Sequence, residues 1–104
     1  MSNTTSPSIE NAKYRTPSDV TMQHAVKIAI LEDRPIMMDY WTLSLDKSIV
    51  IGVNTETNEN LLVKNGEEYT SPISKFLKSG EDLIVKTENS IYIVSADIPQ
   101  KRVH

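Results

Sequence analysis

The spacing of the apolar residues changes at Pro35, and no other feature of the sequence constrains the fold as much. Before Pro35 the apolar residues recur every three or four positions, which is the spacing of a helix. After Pro35 they alternate over short runs separated by residues typical of turns, which indicates strands. We therefore expect one N-terminal helix followed by a β-rich region, which is an α+β fold that is mainly β.

The predicted helix begins near Thr16-Pro17-Ser18-Asp19, a segment that combines capping hydroxyls, a proline and a carboxylate. It ends at Glu32-Asp33-Arg34-Pro35, where the helical spacing stops and a proline follows. The apolar residues between these ends form a broad arc, which predicts that the helix packs against another part of the chain. They are Met22, Ala25, Val26, Ile28, Ala29, Ile30 and Leu31.

Six short strands are expected after Pro35. They are Ile36–Thr42, Ser48–Val53, Asn60–Lys64, Ile73–Lys78, Asp82–Thr87 and Ser90–Ser95. Asn, Asp, Gly and Ser residues between them favour tight turns, so the strands are expected to form an antiparallel meander that closes into a small barrel. A helix followed by bent strands resembles Sm-type and other SH3-like small barrels in architecture, although the chain carries no sequence motif of those families.

The chain has 104 residues, enough for one domain with its own core. Residues 1–15 carry mainly polar side chains and proline, so they are expected to form a disordered N-terminal tail. Residues 16–98 are expected to form the single helix-plus-β-barrel domain, and residues 99–104 a C-terminal tail.

The stretch Ile36–Trp41 contains two methionines and the only tryptophan of the chain. In a strand, Met37, Asp39 and Trp41 lie on one face, and the other three residues lie on the opposite face, in the core. Tryptophan and methionine are favoured at the centres of interfaces. The face with Trp41 is therefore either a contact surface for a partner or a packed strand end beneath the helix.

The other predicted strands also carry apolar residues on both faces, so something must cover the outer face. A single helix is too narrow to cover a sheet of six strands. The apolar positions expected outside the barrel are Trp41, Val50, Leu62, Ile84, Tyr92 and Val94. Either a partner covers them, as another protein or a second copy of this chain, or lysine stems such as those of Lys64 and Lys86 do.

The irregular segment Asn65–Lys75 presents Tyr69 beside two acids and a proline. It is either a recognition loop or a solvated connector that places Tyr69 on the barrel. The residues predicted to bind a partner are Met37, Asp39, Trp41, Tyr69 and Tyr92.

The sequence argues against an enzyme. It contains no cysteine and only two histidines, His24 and His104, too few for a histidine-rich metal site or a convincing acid–base triad. Its three glycines are scattered and form no phosphate-binding loop. We therefore predict no catalytic residue, no metal ligand and no cofactor, and the sequence identifies no small-molecule substrate.

The net charge of −3 offers no general attraction to nucleic acid. The alternative hypothesis is a small nucleic-acid-binding barrel, in which Lys64, Lys75, Lys78 and Lys86 gather beside Tyr69 and Phe76. The acids in the same hairpins argue against it. Because the sequence shows neither a signal peptide nor a membrane span, we expect a soluble cytoplasmic protein. Its predicted function is a non-enzymatic protein-binding or assembly module that docks through an apolar and acidic sheet face.

Overall fold

A computed structural model describes residues 15–65 and 68–103, and every structural statement below concerns these residues. They form two helices and eight strands. The helices are α1 (Asp19–Glu32) and α2 (Trp41–Leu45). The strands are β1 (Ile36–Met37), β2 (Val50–Asn54), β3 (Glu59–Asn65), β4 (Glu68–Tyr69), β5 (Ile73–Ser79), β6 (Asp82–Thr87), β7 (Ile91–Ser95) and β8 (Gln100–Val103). Of the predicted N-terminal tail, residues 1–15, all but Arg15 lie outside the described residues.

The strands form two separate four-stranded sheets. Sheet A has the strand order β1-β7-β6-β5, and sheet B has the order β4-β3-β2-β8. Both sheets are mixed, because β1 runs parallel to β7 and β8 runs parallel to β2, while the other pairs are antiparallel. The α+β, mainly β class is therefore correct, but the prediction of one helix and a six-strand antiparallel meander closing into an SH3-like barrel is wrong.

Two short or polar strands account for this error. Gln100–Val103, which we assigned to a C-terminal tail, form β8 and pair with β2, yet the stretch QKRV is too polar to read as a strand. Glu68 and Tyr69, which we placed in an irregular segment, form β4 beside β3. These two strands complete sheet B. The two sheets then pack against each other as separate layers, and the strands do not close into a barrel.

Helix α1 forms where the sequence predicts it, with a small change at its start. Ser18 is the N-cap, and its hydroxyl accepts a hydrogen bond from the Thr21 N–H. Pro17 therefore lies before the cap and not in the first turn. The helix ends at Asp33, whose backbone is left-handed with φ 55°.

The predicted strand Ile36–Thr42 divides into β1 and α2. The strand ends at Met37, and the Trp41 N–H then donates to the Met38 carbonyl at 3.1 Å to begin a helical turn. This turn places Trp41 and Ser44 on the same side, where both are buried. The Ser44 hydroxyl donates to the Trp41 carbonyl and accepts from the Ser95 N–H, which ties α2 to β7. Burial of Trp41 beneath α1 outweighs the strand preference of the residues around it.

The molecule has three layers: α1, sheet A and sheet B. Sheet A is covered on both faces. This explains why β6 and β7 carry apolar side chains on both of their faces. The core between the sheets contains Tyr40, Ile49, Ile51, Leu62, Leu83, Val85, Val94 and Ile98. The core between sheet A and the helices contains Ala25, Trp41, Ile84, Ile91 and Ile93. No helix in residues 15–65 or 68–103 combines the length and apolar character needed to cross a membrane.

Candidate docking surface

The structure divides the five predicted partner-binding residues among three places. Met37 is half-buried and pairs with Tyr92 in the parallel register of β1 and β7. Asp39 is exposed and lies near Tyr92, whose hydroxyl pKa is raised first by burial and then by the charge of Asp39. Trp41 is buried beneath α1, and Tyr69 is exposed on β4 of sheet B. Met37, Asp39 and Tyr92 thus come together, whereas Trp41 and Tyr69 lie apart from them.

The tyrosine hydroxyls near Asp39 have raised pKa values. Burial is the main cause for Tyr40, and the neighbouring Tyr92 and the charges of Asp39 and Glu68 add to it. Burial also raises the pKa of Tyr92, followed by the charge of Asp39, while a hydrogen bond with Ser90 lowers it. The two rings pack in a tilted arrangement with centroids 5.2 Å apart, a geometry that aromatic pairs favour in cores. Both tyrosines stay protonated and serve packing.

Most of the apolar positions expected outside the barrel are buried within the chain. Trp41, Leu62, Ile84 and Val94 are buried, and Val50 and Tyr92 are half-buried. The expectation that all six need an external cover is therefore wrong, because sheet B covers one face of sheet A and the helices cover the other. The four buried side chains cannot contact a partner, so an apolar docking surface must be formed by other residues.

The side of α1 that faces away from sheet A carries such a surface. We define the α1 outer face as Val20, Val26, Lys27, Ile30 and Leu31. Ile30 is 74% exposed, Leu31 73%, Val20 56% and Val26 44%. Met22, Gln23, Val26, Lys27 and Ile30 border a shallow groove of about 450 Å³ along the helix. Large aliphatic side chains thus lie along one side of the helix without packing against either core.

The local sequence explains why α1 has two apolar sides. Thr21 and Ala25 are buried, and Met22, Ile28 and Ala29 are half-buried against the core between sheet A and the helices. Val26, Ile30 and Leu31 point away from this core. A helix that covers a single core normally carries one apolar stripe, opposite a polar face. The breadth of the apolar arc in the sequence was therefore the signal for an exposed apolar side.

The outer face of sheet B is a second, weaker candidate. Ile51 and Leu62 point into the core, so their neighbours Val50, Leu61 and Val63 point outward by strand alternation. These three side chains are only half-buried, and Tyr69 pairs with Val63 at the edge. The helices pack on sheet A, on the other side of the molecule. This face is apolar but lacks the protruding side chains of the α1 outer face.

The lysines that would serve a nucleic-acid site do not form an unpaired basic group. Lys64 is 3.6 Å from a Glu68 carboxylate oxygen, and Lys86 is 3.1 Å from a Glu32 carboxylate oxygen. Phe76, one of the aromatic residues of that hypothesis, packs against the core between the sheets. Two of the four cations are thus neutralised locally, and this aromatic ring is turned inward.

Within the described ranges, no group of three or more His, Asp or Glu side chains is arranged to hold a metal ion. Comparison of the chain with protein-family models, with curated proteins and with solved structures gave no match. The function must therefore be argued from the geometry of these residues.

Proposed function

We propose that this chain is a non-enzymatic protein-binding or assembly module that docks through the α1 outer face. The observation that carries the proposal is the exposure of Ile30 and Leu31, each nearly three-quarters open to solvent on one helix. Isolated apolar residues are common on protein surfaces, but apolar side chains grouped along one side of a helix mark interaction sites. This moves the docking surface from the predicted sheet face to the helix.

The energetics support a docking role for these side chains. Full burial of one aliphatic side chain of this size contributes roughly 1.5–3 kcal/mol. Val26 and Ile30 lie one turn apart, which is the spacing of anchors in helix-in-groove recognition. Lys27 lies on the same face, so the fitting partner offers an apolar groove or helix with a carboxylate opposite Lys27.

Site-specific photo-crosslinking tests the proposal. A photoreactive amino acid replaces Ile30, and in a matched control it replaces Asn58, which is exposed at the turn between β2 and β3. In the cells that make the protein, the Ile30 position is expected to give a discrete covalent adduct that the Asn58 position does not. An adduct of twice the chain mass indicates self-assembly, and any other discrete mass indicates a different protein.

A second variant checks that the adduct depends on the apolar face. Leu31→Gln in the same photoreactive chain is expected to reduce the adduct severalfold, because it removes one anchor without touching a core residue. Equal adduct yields from the Ile30 and Asn58 positions would contradict docking through the α1 outer face.

A further inference from the structure

Trp41 is covered by the segment that precedes α1. The Trp41 indole N–H donates to the Arg15 carbonyl at 2.8 Å. The Arg15 guanidinium lies over the indole ring, with its central carbon 5.0 Å from the ring centroid, in the range of a cation–π contact. Arg15 thus closes over the indole, and this cover does not involve the α1 outer face.

One buried carboxylate holds this segment in place. The side chain of Asp82, at the start of β6, is 1% exposed. It accepts hydrogen bonds from the Arg15 guanidinium at 2.6 Å, the Ser18 N–H at 2.9 Å and the Thr21 hydroxyl at 2.6 Å. Ser18 is also the N-cap of α1, and Thr21 is its hydrogen-bond partner. Of the three donors, only Arg15 has no part in capping the helix.

Apart from the contacts with Asp82 and Trp41, the contacts of residues 15–17 are weak. Arg15 also contacts Glu81, with a 2.9 Å bond to its carbonyl and a 3.6 Å ion pair to its carboxylate. That carboxylate is 84% exposed and the Arg15 side chain is 37% exposed, so water and salt screen their attraction. Residues 15–17 belong to no strand or helix. Segments with few buried contacts open locally, at a free energy below that of global unfolding.

We propose that residues 15–17 form a releasable latch that opens while α1 and both sheets stay folded and exposes the Trp41 indole. Beside Arg15 lies a hollow of about 510 Å³ that Leu45, Lys78, Gly80 and Asp97 also line. The closed latch keeps Trp41 from solvent, and the open latch makes the indole accessible from this side. The fold thus contains a two-state element in addition to the permanent α1 outer face.

Hydrogen exchange of the Trp41 indole proton measures the latch directly, because its acceptor is the Arg15 carbonyl. The indole signal is unique by NMR, since the chain has one tryptophan. In the wild-type protein we expect the indole proton to exchange faster than the core amides of Val85 and Ile93, relative to their intrinsic rates. Its exchange should also be nearly independent of low denaturant concentrations, which identifies local opening.

Variants separate the latch from general stability. Arg15→Ala is expected to accelerate exchange of the indole proton about ten- to a hundredfold, the factor expected for loss of one charged hydrogen bond. The exchange rates of the Val85 and Ile93 amides are expected to stay within about twofold of their wild-type values. Glu81→Ala is expected to accelerate it by no more than about fivefold, as for an exposed ion pair. The proposal is overturned if Arg15→Ala leaves the indole rate unchanged or accelerates the core amides equally. It also fails if the wild-type indole proton exchanges only by global unfolding, with the same denaturant dependence as the core.

Discussion

Asp82 shows how a single residue keeps a charge inside this fold. Burial raises the pKa of its carboxyl, but the hydrogen bonds from Thr21, Ser18 and Arg15 together outweigh burial and lower the pKa below its usual value. The carboxylate is therefore the form that the folded state binds best. It joins β6 to the start of α1, so one ionised group connects two layers of the molecule.

The lowered pKa of Asp82 predicts a pH dependence of stability. The folded state holds the Asp82 proton less tightly than the unfolded chain does, so stability rises with pH in the acid range. The contribution is complete above the unfolded pKa of about 3.9, and it is lost as the pH falls through the folded pKa. Asp82→Asn is expected to lower the free energy of unfolding by about 1–3 kcal/mol at pH 7. Urea unfolding from pH 7 to pH 2 checks whether the gap to wild type narrows below about pH 4, and a constant gap would contradict this assignment.

At the scale of elements, helix α1 ends at Asp33, a residue that is poorly suited to the C-cap position. Asp33 adopts the left-handed conformation at the C-cap, where glycine is preferred because it has no Cβ. Its carboxylate also lies at the negative end of the helix dipole. The helix therefore stops where the sequence predicts, but it stops at some cost in stability.

Asp33→Gly is expected to stabilise the protein by about 0.5–1 kcal/mol, because it relieves both the backbone strain and the unfavourable charge. Gly80 provides a matched control, since its φ of 61° is similar and a Cβ added there meets no atom within 4 Å. Gly80→Ala should therefore lose about 1 kcal/mol through the backbone alone. Thermal unfolding of the two variants checks the opposite signs, and a destabilising Asp33→Gly would show that the Asp33 side chain has a structural role.

At the scale of the whole molecule, each sheet combines a three-strand antiparallel unit with one strand from a distant part of the chain. β2-β3-β4 receives β8, and β5-β6-β7 receives β1. The Ile51 N–H also donates to the Pro99 carbonyl at 2.9 Å, just before β8 begins. The last described residues are thus structural, because they protect β2 from becoming an open edge.

Removal of residues 100–104 is expected to destabilise the protein by roughly 2–4 kcal/mol, because a few ladder hydrogen bonds at about 0.5–1.5 kcal/mol each are lost. The control removes His104 alone and retains Gln100–Val103, the whole of β8. Urea unfolding should show a lower midpoint for the longer truncation, with the control close to wild type. Identical midpoints for the two truncations would mean that β8 adds little to the stability of sheet B.

Elements with local patterns could be predicted from the sequence. Asp82–Thr87 is a strand with the bounds predicted for it, β7 differs by one residue, and α1 follows its capping and apolar spacing. These elements form from short-range propensity and alternation, which the sequence displays directly. The sequence also showed that the strands are apolar on two faces.

The way those faces are covered could not be predicted, because it depends on long-range packing. Sheet B covers one face of β6 and β7 and the helices cover the other, a pairing that depends on contacts between residues distant in the chain. The same long-range packing buried Trp41 and converted its predicted strand into α2. The side of α1 that carries Ala25, Ile28 and Ala29 packs against sheet A, and Ile30 and Leu31 on the opposite side are left outside. Local patterns record which residues are apolar, but the side of α1 that is buried depends on the shape of the sheet it meets.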